Sequence, residues 1–177
     1  MGNNELLLHY QPQFDASSNK IVGAEALIRW NHSEKGMIPP NQFIPVAELC
    51  GLMIPIGQWV LNTACKAAKK WQNQGLKKIR ISVNISARQF HAENFVQTIK
   101  GAISTSGLDP EWLELEITEG MVIKNTDNVV TKLEQLKALG VYLSIDDFGT
   151  GYSSLAYLKK FPVDRLKIDQ SFIRNIH

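Results

Sequence analysis

The sequence predicts an α/β fold built from strand–helix–strand units, and three observations carry that prediction. Stretches of period-two apolar spacing alternate along the chain with stretches of three- and four-residue apolar spacing. Short turn signals separate them, with no low-complexity or Pro/Ser-rich linker. Four of the strand-like stretches also carry a polar side chain at every second position, where a fully buried parallel strand would be continuously apolar.

The elements follow in order. Leu6–Phe14 reads as a strand, Asn19-Lys20 as a turn and residues 21–30 as a second strand, so the chain opens on a hairpin. Pro39-Pro40 starts a short helix that runs through Glu48 and ends at Gly51. Ile56, Trp59, Val60, Ala64, Ala67, Ala68 and Trp71 form the apolar stripe of a longer helix stopped by Gly75. The rhythm then repeats. Strands are expected over 79–85, 113–118, 141–146 and 165–169, with helices over 93–106, 126–139 and 153–160. Six strands result. They make either a six-stranded α/β domain or an eight-stranded barrel lacking its last quarter. The opening Met-Gly-Asn-Asn favours a piece of something larger.

Composition bounds the function. The chain has 177 residues, 44% hydrophobic and 20% charged, which suits one folded domain and excludes a disordered tail. A formal charge of +2 recruits no polymeric nucleic acid. No apolar run approaches the roughly 18 residues of a membrane span, so no membrane contact is expected and a cytoplasmic location is. Cys50 and Cys65 read as two buried thiols in a reducing compartment.

The polar stripe carries the functional signal. Ser82, Asn84 and Ser86 share one side of their strand, as do Glu114, Glu116 and Thr118, then Ser144 and Asp146, then Arg165, Lys167 and Asp169. Glu25, near the end of the second strand, has the parity of Gly23 and Leu27. An antiparallel sheet with one wet face would also alternate, but helices between the strands must cover sheet faces. The preferred reading points these groups into a barrel and gathers them at its C-terminal mouth. Glu25, Asn84, Glu116, Asp146 and Asp147 are oxygen donors without a His or Cys among them. Carboxylates about 4 Å apart repel by roughly 4 kcal/mol per pair at an effective dielectric of 20, so they need a counter-charge. All-oxygen donors suit Mg²⁺, Mn²⁺ or Ca²⁺. Asp146 and Asp147 at a strand end, running into Phe148-Gly149-Thr150-Gly151, could aim at one locus and serve two neighbouring cations, with Ser153 capping the next helix.

At these residues the chain resembles the EAL family of cyclic di-GMP phosphodiesterases. Glu25-Ala26-Leu27 is the signature triplet, within Glu25-Ala26-Leu27-Ile28-Arg29-Trp30. Tyr10-Gln11-Pro12, Val83-Asn84-Ile85-Ser86, Glu116-Ile117-Thr118-Glu119, residues 146–155 and Leu166-Lys167-Ile168-Asp169 also match, in the family's order. The resemblance implies a TIM-type (β/α)8 barrel with an antiparallel first strand, here an incomplete single domain over residues 1–177. It implies hydrolysis of cyclic di-GMP to linear pGpG, two Mg²⁺ or Mn²⁺ ions and a homodimer. Glu25, Asn84, Glu116 and Asp146 match metal ligands, and Asp147 a ligand of the second ion. Lys167 matches the lysine that contacts the attacking water or a phosphate. Gln11, Leu27 and Arg29 match substrate positions, and Glu119 matches the anchor of the Asp-Asp-Phe-Gly loop. The family's Glu-Gly-Val-Glu strand has no counterpart in these residues. The alternative is therefore a catalytically impaired module that binds cyclic di-GMP or dimerises.

Overall fold

The computed structural model describes residues 5–123, 126–149 and 160–172. Strand β1 (Leu6–Phe14) turns back antiparallel onto β2 (Ile21–His32), with Gln11 opposite Glu25. Asp15 holds the turn, since its carboxylate accepts from the Ser17 and Ser18 hydroxyls at 2.6 Å and from the Ser18 N–H at 2.7 Å. These bonds hold its pKa down at about 2. A short β3 (Gly36–Ile38) pairs with the far end of β2. Three residues are too few to show a period, so this strand was not predicted.

Helix α1 (Pro40–Leu49) starts with proline in its first turn, and α2 (Met53–Asn73) ends just before Gly75, whose φ of +78° suits a residue without Cβ. Next come β4 (Arg80–Asn84), α3 (Ala87–His91), α4 (Phe95–Ser106), β5 (Leu113–Thr118), α5 (Glu119–Ile123), α6 (Thr126–Ala138), β6 (Tyr142–Phe148) and β7 (Arg165–Ile168). Helices α3 and α5 have five residues each, too short for a recognisable stripe. A reciprocal pair of bonds between Ser86 and Gln89 starts α3. Residues 153–159 of the helix expected over 153–160, with its Ser153 cap, lie outside the described residues, and Lys160 is in a turn.

The strands are ordered β1-β2-β4-β5-β6-β7, with β3 on the side of β2. Every pair from β2 to β7 along this path is parallel, which removes the antiparallel wet-sheet alternative and establishes the α/β class. The sheet is rolled. Its end strands β1 and β7 stand at opposite limits of the order, yet Arg165 Nη1 on β7 reaches Gln13 Oε1 on β1 at 3.4 Å across the concave side.

Period-two alternation divides the two faces. Ile81, Val83, Leu113, Leu115, Ile117, Leu143 and Ile145 point outward and are buried beneath Leu61, Ala64 and Cys65 of α2, Ile99 of α4 and Leu133 and Leu136 of α6. Trp59 and Trp71 pack against this core, and Trp71 meets Tyr10 edge to face. The two cysteines differ, contrary to expectation. Cys65 is buried, but Cys50, at the C-terminal cap of α1, is exposed. Position 50 continues the spacing of the buried Phe43 and Ala47, but it follows the last helical residue, Leu49.

Candidate active site

Two polar layers line the concave face, offset by two residues along β4, β5 and β7. The upper layer gathers Glu25 of β2, Asn84 of β4, Glu116 of β5, Asp146 of β6 and Lys167 of β7. Lys167 Nζ donates to Glu116 Oε2 at 2.7 Å, to Asp146 Oδ2 at 3.0 Å and to Glu25 Oε2 at 3.4 Å. Asn84 Nδ2 donates to Glu25 Oε1 at 2.7 Å. Glu25 lies within β2 rather than near its end, because that strand continues to His32.

Three carboxylates around one ammonium leave excess negative charge. Burial raises the Glu116 pKa against the opposing effect of Lys167, and the charges of Glu25 and Asp146 raise it further. Burial alone would lower the Lys167 pKa, but its bond to Glu116 and the three carboxylates outweigh that and hold its proton more tightly than usual.

Asp146 and Asp147 both lie inside β6, which runs on to Phe148, and not at the strand end expected. Asp146 reaches Lys167, whereas the Asp147 side chain is exposed. Asp147 adopts a left-handed φ of +53°, its N–H donates to Asp146 Oδ1 at 3.0 Å, and the pairing with β7 is irregular between Ile145 and Phe148. Burial, followed by the charges of Asp146 and Asp169, raises the Asp147 pKa.

Glu119 begins α5 at 3% exposure, and its Oε2 accepts the Gly149 N–H at 2.8 Å. It thereby ties the end of β6 to α5. Gly149 has φ +99°, and a Cβ there would come within 2.6 Å of the Phe172 ring. Residues 150–155 of the expected loop lie outside the described residues. Gln11 shares the face of its cross-strand partner Glu25 and is exposed. Leu27 and Arg29 follow Glu25 on the same face of β2, with Arg29 about 13 Å further along at ~3.3 Å per residue. Arg29 Nη1 donates to the Ile28 carbonyl at 2.8 Å.

The donor set fits a hard divalent cation. It is all oxygen, it carries excess negative charge, and Glu116 Oε1 is buried without a hydrogen-bond partner. Among the described residues, no three His, Cys, Asp or Glu side chains form by themselves a group spaced to hold an ion. Glu25, Glu116 and Asp146 are instead spread around Lys167, so ammonium and cation compete for the same oxygens.

The lower layer was not singled out from the sequence. Arg165 Nη1 donates to Glu114 Oε1 and Oε2 at 3.2 and 3.1 Å, and Gln13 Nε2 donates to Ser82 Oγ at 3.4 Å. Arg80 stacks 3.8 Å from the Tyr142 ring centroid, with Nη1 4.0 Å from Glu114 Oε2. The alternation that marks the upper layer also marks this one, but it does not say which charge meets which.

The family model for the EAL domain matches residues 1–177. An uncharacterized signaling protein of Caulobacter vibrioides is 48% identical over 100% of this chain and 21% of its own length. The bifunctional diguanylate cyclase/cyclic di-GMP phosphodiesterase MucR of Pseudomonas aeruginosa is 46% identical over 97% of this chain and 25% of its own length. The solved structure of the PaMucR phosphodiesterase in complex with c-di-GMP superposes with a TM-score of 0.94 at 46% identity, covering 97% of this chain and 70% of that one. The chain thus spans about a fifth to a quarter of the length of these curated relatives. The match along the whole sequence and the agreement in fold establish that this chain belongs to the EAL domain family.

Proposed function

We propose that this chain is a divalent-metal-dependent phosphodiesterase that hydrolyses cyclic di-GMP to linear pGpG in bacterial second-messenger signalling. The observation that carries the reading is the meeting of Glu25, Asn84, Glu116 and Asp146 around Lys167. Relatives named as cyclic di-GMP phosphodiesterases support the substrate. Glu25, Asn84, Glu116, Asp146 and Asp147 would hold Mg²⁺ or Mn²⁺, two ions in the complete site. Bound there, such ions supply positive charge to phosphate oxygens and make water a stronger nucleophile at neutral pH.

The chain's own residues divide the remaining work. Lys167 keeps its proton and offers cationic N–H groups to a phosphate oxygen or the attacking water. Arg29 presents a planar fork suited to a second phosphate edge. Leu27 supplies an apolar wall beside the guanine dinucleotide, and Gln11 an amide on the opposite strand. Glu119 keeps the Asp146–Asp147 segment in place through Gly149. A homodimer belongs to the same proposal.

A second reading, ligand binding without cleavage, is favoured by the central position of the Lys167 ammonium, which bonds to one oxygen of each of the three carboxylates where a cation would stand. Incubation with cyclic di-GMP and Mn²⁺, followed by chromatography, separates the two. The hydrolase reading expects pGpG from the wild type and none from Glu25→Ala or in chelator. Binding heat in calorimetry with no product would instead support the second reading.

A further inference from the structure

The lower polar layer repeats the upper one a single step down the same strands. Arg165 precedes Lys167 by two residues on β7, and Glu114 precedes Glu116 by two on β5, so each pair leaves one face of its strand. Strand β6 separates β5 from β7 in the sheet, and the Glu114–Arg165 contact therefore crosses the concave side over an intervening strand. Glu114 is completely buried and binds the Arg165 guanidinium through both oxygens. That guanidinium also reaches Gln13 on β1. Backbone bonds tie the two ends of β7 to β6, from the Asp164 N–H to the Leu143 carbonyl at 2.8 Å and from the Asp169 N–H to the Phe148 carbonyl at 3.4 Å. Between them the four-residue strand has three register pairs with β6, interrupted by the irregularity after Ile145.

We propose that Arg165 is the positioning residue for Lys167: its two-oxygen grip on Glu114 sets where β7 lies across the barrel, and so where the Lys167 ammonium stands. The proposal rests on the phosphodiesterase reading above. Lysine is a point charge on a flexible stem, so its location depends on the strand that carries it. A displacement near 1 Å at a reacting centre costs up to about 10²-fold in rate.

The test compares turnover of cyclic di-GMP with Mn²⁺ by the wild type, Arg165→Met, Arg165→Lys, Lys167→Met and the double variant. Arg165→Met is expected to lower kcat by about 10- to 100-fold while KM stays within about twofold. Arg165→Lys keeps the charge without the fork and restores part of the loss. In the Lys167→Met background the Arg165 substitution should cost nothing more, because the two act through one group. An equal loss in both backgrounds, or an unchanged kcat in Arg165→Met, overturns the proposal. A second readout needs no turnover: the ¹⁵N signal of the Lys167 ammonium, visible when its protons are held in bonds. It should persist in the wild type and in Lys78→Met, which removes an exposed lysine paired with Asp109 instead, and vanish in Arg165→Met, and its persistence there also overturns the proposal. This signal decides the matter where Lys167→Met turnover falls below detection, and an inactive wild type would sink the hydrolase reading alone. If melting shows Arg165→Met unfolded, Arg165→Lys and Glu114→Gln carry both comparisons.

Discussion

Replacing Lys167 with methionine removes the ammonium that three carboxylates share while roughly preserving the stem. Removing one member of a buried ion pair costs about 3–5 kcal/mol, because the remaining charge is left uncompensated. The Lys167, Glu25 and Asp146 side chains keep 24%, 18% and 21% exposure, so water relieves part of the penalty and the lower end, about 3 kcal/mol, applies. Chains of this size lose roughly 2–4 °C of Tm per kcal/mol, which gives a drop of about 6–12 °C in chelator. A divalent ion can take over the neutralising role. At a hundredfold excess over its Kd it returns about 2.7 kcal/mol, most of the deficit. Circular dichroism melts of wild type and Lys167→Met, in chelator and across a Mg²⁺ titration, measure both effects. A variant that melts with the wild type in chelator, or that Mg²⁺ fails to stabilise, would refute the argument that these carboxylates form a cation site.

Glu119→Ala leaves the Gly149 N–H without its acceptor and should lower stability by about 1–3 kcal/mol, with a fall in turnover that Glu119→Gln largely avoids. Gly149→Ala places a Cβ against the Phe172 ring at a φ of +99° and should cost roughly 1–3 kcal/mol in urea unfolding; an unchanged midpoint would contradict the strain. Burial pushes the Cys65 thiol up to about 12, despite a bond from Ser106 that lowers it. A raised folded pKa means that its stabilising contribution is complete below the ordinary thiol pKa of about 8.5 and is lost as pH climbs toward 12. At pH 8 a thiol reagent should therefore label exposed Cys50 and spare Cys65 until the chain unfolds, as mass spectrometry would show.

Much of the fold was legible because its elements are long enough to show a period. The stripe from Ile56 to Trp71 and the alternation in Leu113–Thr118 each repeat several times, whereas β3, α3 and α5 are too short to announce themselves. The candidate site divides in the same way. Composition and parity alone place Ser82 with Asn84, Glu114 with Glu116, Ser144 with Asp146 and Arg165 with Lys167 on shared faces, because side chains on a strand must alternate. Pairing could not be read that way. Glu114 and Glu116 are equivalent by period, yet one is clamped by Arg165 and the other joins Lys167, Glu25 and Asp146. The roll of the sheet decides this by bringing together residues as many as 152 positions apart, a closure that no local preference encodes. The same holds for Asp147: its residue type marked it as an oxygen donor, but its left-handed φ of +53°, beside the irregular pairing with β7 and the Gly149–Glu119 bond, is seen only in the folded chain.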